Sequence, residues 1–161
     1  MDKILIIGAP GTGKTTMANK IGMQRKTPVF SLDEVKWIGH NTHKPIRRND
    51  TEINELINNI LNKEKDWIFE GCNLSEFVYP IIKQSNHIII LKTKRSIRLW
   101  KIIKRFIKSK FYLEQSNNKK TFRGLFRALK LSYVYDKEIL PQIINTIKKY
   151  SKDKVTKFET C

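Results

Sequence analysis

Lys3-Ile4-Leu5-Ile6-Ile7-Gly8-Ala9-Pro10-Gly11-Thr12-Gly13-Lys14-Thr15-Thr16 is the stretch that decides the fold. An aliphatic run feeds a glycine-rich turn that ends in Gly-Lys-Thr-Thr. Gly8, Gly13, Lys14 and Thr15 stand at the spacing of a phosphate-binding loop, Gly-x-x-x-x-Gly-Lys-[Ser/Thr]. Gly8, Gly11 and Gly13 allow backbone angles that a Cβ would forbid, so successive N–H groups can turn inward around an anion. A helix starting near Gly13 aims its unpaired N–H groups and the positive end of its dipole at the same place. Lys14 adds a full charge for the β and γ phosphates, and the Thr15 hydroxyl suits Mg²⁺. The whole segment Gly8, Ala9, Pro10, Gly11, Thr12, Gly13, Lys14, Thr15 and Thr16 is therefore expected to hold a nucleoside triphosphate, ATP, with Mg²⁺.

The rest of the chain fits around that loop. With 161 residues, 40% of them hydrophobic, the length suits one domain, 1–161, with a single core. No apolar run reaches the ~18 residues that span a bilayer. The first apolar run is too short for a secretory leader. Cys72 and Cys161 are the two cysteines and lack a Cys-x-x-Cys partner, so a reducing cytoplasm is the expected location.

The net charge of +17 is unevenly placed. Up to Leu91 there are 12 Lys and Arg against 10 Asp and Glu; beyond it there are 20 against 5. A compositional bias toward Ile, Lys and Asn accounts for the late lysines better than for the arginines. The basic region 92–157 offers nucleic acid as an alternative partner, for a P-loop ATPase or regulator. No helix-turn-helix, RNA-recognition or zinc-finger pattern accompanies it.

Along the chain, Thr15 to Lys26 reads as a helix with Met17, Ala18, Ile21 and Met23 on its stripe. Val29 to Leu32 reads as a strand with Asp33 and Glu34 at its carboxyl end, where open α/β sheets bind ligands. Trp37 to Asn49 is polar and loop-like. Its His40 and His43 lack further ligands and read as solvated, while Arg47 and Arg48 suit an anionic second substrate. Asp50 or Thr51 can cap a helix to about Lys63 with Ile53, Leu56, Ile57, Ile60 and Leu61 on one face. Asp66 to Gly71 is a third strand ending in Glu70, placed to hold Mg²⁺ together with Thr15; Gly71 would let the chain pass close to a ligand. Ser75 to Gln84 reads as a short helix and His87 to Leu91 as a fourth strand, buried on both faces.

Lys92 to Lys108 has a helical period. Ile97, Trp100, Ile103 and Ile107 mark an apolar face expected to pack on the core; Arg98, Lys101, Arg105 and Lys108 mark a basic one. Because that apolar face is assigned to the core, no membrane partner is expected. Ser109 to Thr121 is the candidate flap, making about 95–125 a short basic helical lid. Phe122 to about Lys149 is helical with a break near Pro141, and Asp153 to Glu159 is a final strand.

This order resembles the P-loop nucleoside monophosphate kinases, and more closely the adenylate kinase-like DNA topology modulation (FlaR-like) proteins. The resemblance runs from Lys3 to about Phe158. It is carried by Ile6 to Thr16, by Phe30-Ser31-Leu32-Asp33-Glu34-Val35-Lys36-Trp37, by Trp67-Ile68-Phe69-Glu70-Gly71-Cys72-Asn73, and by Arg95 to Arg105. It implies a single three-layer α/β/α domain with a five-stranded parallel sheet, and a Mg²⁺-dependent small-molecule kinase. Lys14 and Asp33 would be catalytic, with Lys101 and Arg105 standing where lid arginines clamp the transferring phosphoryl group. The unidentified acceptor would meet Asp33, Trp37, Arg47, Glu70 and Asn73. Adenylate kinases themselves have Asp-Gly-Phe-Pro-Arg where this chain has Glu70-Gly71-Cys72-Asn73-Leu74, so AMP is not the expected acceptor.

Overall fold

The structure, a computed structural model, describes residues 2–39, 44–72, 75–111, 122–150 and 155–160. Its central strand is β1 (Lys3–Gly8), flanked in parallel by β5 (Trp67–Gly71) and β6 (His87–Lys92). β2 (Val29–Ser31) pairs outside β5, and β7 (Val155–Thr160) pairs outside β6, giving the order β2-β5-β1-β6-β7. Every pairing is parallel, so each connection must cross over one face of the sheet.

Side-chain alternation divides the core in two. Leu5 and Ile7 of β1, Trp67 and Phe69 of β5 and Ile88 and Ile90 of β6 share one buried cluster. It is covered by α2 (Leu32–Lys36), α3 (Asp50–Lys63), α4 (Tyr79–Gln84) and α7 (Leu140–Tyr150). Ile4, Ile6, Ile68, Ile89 and Leu91 form the opposite cluster, with Ala18, Met17 and Ile21 of α1 (Lys14–Arg25). A strand with both faces covered needs apolar residues at consecutive positions, which is why β1, β5 and β6 read as continuous hydrophobic runs. Met23, expected on the α1 stripe, is exposed.

Several local expectations are corrected. The polar segment after Trp37 contains an antiparallel pair, β3 (Trp37–Ile38) with β4 (Ile46–Arg47), which places Trp37 opposite Arg47. His40 and His43 lie outside the described residues. The cap of α3 is Asn49, not Asp50 or Thr51: its side chain accepts from the Glu52 N–H while Glu52 accepts from the Asn49 N–H. This reciprocal box satisfies two otherwise unpaired donors. The segment before Gln84 is a 3₁₀ turn (Glu76–Val78) followed by α4. The break in the last helical stretch comes before Pro141: a π-helical segment (Tyr135–Ile139) separates α6 (Phe122–Val134) from α7. The helix runs on through Leu140, whose N–H bonds the Tyr135 carbonyl, so Pro141, which has no N–H to donate, lies just beyond the π-helical segment.

The largest correction concerns α5 (Arg95–Phe111). Its buried residues are Arg98, Ile102 and Phe106, at steps of four, facing α6. Phe106 meets the Phe122 ring with centroids 5.0 Å apart. Ile97, Trp100, Ile103 and Ile107 are the exposed side, between 40% and 58% accessible. Both stripes carry apolar residues at helical spacing, the covered one with Arg98 at its start, and the position of α6 decides which one is covered. Arg98 accordingly leaves the basic face. Residues 112–121, the centre of the expected flap, lie outside the described residues. Among the described residues, no helix is long and apolar enough to cross a membrane.

Candidate active site

β1 delivers Gly8 to the carboxyl edge of the sheet, and the loop that follows is shaped by its glycines. Gly11 and Gly13 have φ of +86° and +97°, a region that costs other L-residues about 1–2 kcal/mol. A Cβ on Gly11 would come within 2.6 Å of the Arg98 carbonyl oxygen, so this glycine also lets the loop tip touch α5. A Cβ on Gly8 would fall 2.8 Å from Thr12 Oγ1.

The Ala9 carbonyl gathers the loop's own donors. It accepts from the Thr12 N–H at 3.2 Å, from Thr12 Oγ1 at 2.9 Å and from Lys14 Nζ at 3.4 Å. Gly13 caps α1 in a left-handed conformation without a side-chain hydrogen bond, and the first helical bond there runs from the Met17 N–H to the Gly13 carbonyl. The N–H groups of Lys14, Thr15 and Thr16 thus start the helix without intrahelical acceptors, and the dipole adds partial positive charge at the same point. This end of the molecule is built to receive an anion.

β5 brings an acid to that anion site. Its register places Glu70 beside Ile6 of β1 and Ser31 of β2. Thr15 Oγ1 donates to Glu70 Oε1 at 3.0 Å, and Glu70 is only 6% exposed. A buried carboxylate needs partners to offset lost hydration, and Thr15 is one. The pair offers two hard oxygen donors beside the phosphate loop, which fits Mg²⁺: that ion is held by one or two protein oxygens plus phosphates.

Asp33 sits in α2, two residues beyond Ser31, and is exposed. The ionisation of Cys72 reveals how these groups converge. Burial is the main cause that pushes its thiol upward; Asp33 and Glu70 push it further and Lys14 opposes them. Lys14, Asp33 and Glu70 thus all act electrostatically on the thiol just past β5. Cys72 was read from the sequence only as a sign of redox compartment. Its position after Glu70-Gly71 could have marked it as a lining residue.

Gly71 also has a packing role. A Cβ there would lie 2.6 Å from Leu32 Cδ1, so its smallness lets β5 pack on α2. Trp37 is half-buried, and Arg47 is exposed and paired with Asp50 at 2.7 Å. Arg48 donates to the Glu34 and Val35 carbonyls and so fastens the hairpin to the end of α2. Asn73 lies outside the described residues.

At α5 the sequence reading missed a buried ion pair. Arg98, 2% exposed, makes a forked contact with Asp136 at 2.9 and 2.7 Å. It also donates to the Ser132 Oγ and carbonyl and to the Thr93 carbonyl. Arg98 holds the Asp136 carboxyl below its usual range. This network fixes the α5 backbone where it meets Gly11. Lys101 is partly exposed and Arg105 fully so, on the turns of α5 beyond that contact.

No family model matches the chain, and no curated protein matches it either. Solved structures do. A sugar kinase from Janibacter sp. aligns over 98% of this chain and 83% of its own, at 12% identity and a TM-score of 0.50. A gluconokinase from Sinorhizobium meliloti aligns over 93% and 97%, at 14% identity and 0.46. A shikimate kinase from Bacteroides thetaiotaomicron aligns over 92% and 95%, at 17% and 0.43. At 12% identity the likeness to the sugar kinase is one of fold alone.

Proposed function

We propose that this chain is a Mg²⁺-dependent phosphotransferase that moves the γ-phosphoryl group of ATP to a small hydroxyl-bearing acceptor. The observation that carries the reading is the Thr15–Glu70 contact beside the Gly8–Thr16 loop. It joins an anion cradle to a hard-oxygen metal site in one place. The fold shared with a sugar kinase supports it, and so does the adenylate kinase-like order of the sequence.

The chain's groups divide the work. The N–H groups from Gly13 to Thr16 cradle the β and γ phosphates, and Lys14 exchanges the Ala9 carbonyl for phosphate oxygens. Thr15 and Glu70 would hold Mg²⁺, which would supply positive charge against the phosphate oxygens. Asp33 accepts the acceptor's hydroxyl proton as the new O–P bond forms and the bridging bond to the ADP oxygen breaks. Lys101 and Arg105, on a basic lid built from α5, stabilise the equatorial oxygens in flight. Trp37, Arg47 and Asn73 flank the acceptor.

The test is a screen for transfer of labelled γ-phosphate to sugars, nucleosides, nucleotides and hydroxy acids, with Asp33→Asn alongside. Transfer to one acceptor class, lost in the variant with ATP binding retained, supports the reading. Hydrolysis to free phosphate with every acceptor, unchanged in the variant, contradicts it.

A further inference from the structure

α5 exposes the apolar side that its sequence pattern assigned to the core. Ile97, Trp100, Ile103 and Ile107 recur at steps of three and four and are 40% to 58% accessible. At about 100° per residue they form one stripe about a third of the helix wide. The opposite side is already occupied by α6 through Arg98, Ile102 and Phe106, so the helix cannot roll to bury the stripe without exposing that side. Lys104 lies over the Trp100 ring at 4.5 Å, and Lys101, Arg105 and Lys108 border the stripe. No acidic residue occurs between Lys92 and Lys110.

We propose that this stripe seats α5 on an anionic lipid surface, with Trp100 and the three isoleucines in the headgroup–acyl boundary and Lys104 and Lys108 on lipid phosphates. A basic helix with a Trp-containing apolar face is what interfacial binding requires. Each lysine near an anionic leaflet strengthens that attraction. Charge chooses this occupant over a second copy of the chain, because two such helices would bring like charges together without an acid between them. Side-chain chemistry chooses it over nucleic acid. Bases stack on aromatic rings, whereas three of the four residues here are isoleucines. The absence of a membrane partner was expected because these residues were assigned to the core; the structure removes that premise.

The test uses the full chain and vesicles of phosphatidylglycerol mixed with phosphatidylcholine, against vesicles of phosphatidylcholine alone, in ~0.1 M salt where the charges are partly screened. The protein is expected to sediment with the anionic vesicles only. Trp100→Ser/Ile103→Ser should lower the partition constant about tenfold or more, and Lys104→Glu/Lys108→Glu should lower it comparably. Circular-dichroism melting of both variants should match the parent, since all four residues are exposed. Binding that ignores the apolar double variant would overturn the proposal, as would no binding to anionic vesicles. Two other results also overturn it: a dimer in ultracentrifugation that the apolar variant dissociates, or vesicle-independent capture of an RNA oligonucleotide that the same variant abolishes.

Discussion

Trp67 and Trp100 occupy opposite extremes of the molecule. Trp67 is 0% exposed at the start of β5, edge-on to Phe69 with ring centroids 5.1 Å apart; Trp100 is 58% exposed on α5. Both lie in apolar segments, yet one holds the sheet together and the other faces outward. The region around β1, β5 and the phosphate loop is closed: both faces of its strands are covered and its acid is buried against Thr15. The α5–α6 hairpin is covered on one side and pinned at its base by Arg98. The first region holds its polar groups in a fixed geometry, and the second leaves an apolar stripe exposed.

The difference can be broken most forcefully at the tryptophans. Trp67→Ala should cost about 3–5 kcal/mol of unfolding free energy, as expected for a large core residue replaced by a cavity. Trp100→Ala should stay within about 0.5 kcal/mol of the parent. Equal losses in denaturant titration would erase the contrast. Asp136→Asn comes next: it leaves the buried Arg98 with its Ser132 and Thr93 partners but without a carboxylate, and should cost about 2 kcal/mol. The pH dependence has a definite sign. Arg98 lowers the folded-state value of Asp136 below the usual 3.8, so the contribution is complete above that value and lost as pH falls through the lower folded one. Melting curves should show the parent losing more stability than the Asn variant on acidification below about pH 4.

Gly11→Ala tests the seam between the two regions. The φ of +86° and the 2.6 Å approach to the Arg98 carbonyl should together cost about 1–3 kcal/mol. Loop and helix must move apart, so ATP affinity should fall along with stability. An unchanged melting temperature would show that the contact is slack. The smallest of these effects is at Glu70→Gln. It keeps a hydrogen-bonding partner for Thr15 but removes the charge, and should raise the Mg²⁺ concentration for half-maximal nucleotide binding about tenfold.

The first region was legible in the sequence because its determinants are local. An aliphatic run long enough for one strand, followed by glycines at fixed offsets, specifies strand, loop and helix start within residues 3–16. The acid ending β5 was legible for the same reason. The hairpin was not. Periodicity told which residues of α5 share a side: Ile97 with Trp100, Arg98 with Ile102. Which side is buried depends on α6, and on Asp136, 38 residues away from Arg98. The packing of Gly71 on Leu32 was hidden for the same reason, because Leu32 reaches it from a separate element. The Asn49 cap was missed because Asp50 and Thr51 are equally competent capping residues, and only the strand pair before α3 fixes the point where the helix begins.

The central claim is that the Gly8–Thr16 loop, completed by Glu70, is a Mg²⁺–ATP site. Calorimetric titration of Mg²⁺–ATP into the parent and into Lys14→Ala tests it most directly. Among the described residues Lys14 makes one hydrogen bond, to the Ala9 carbonyl, so the variant should melt as the parent does. Saturable binding by the parent, weakened about a hundredfold or more in Lys14→Ala, is the predicted result, equivalent to about 2.7 kcal/mol. Equal affinity for the two proteins, or no heat from the folded parent, would contradict it.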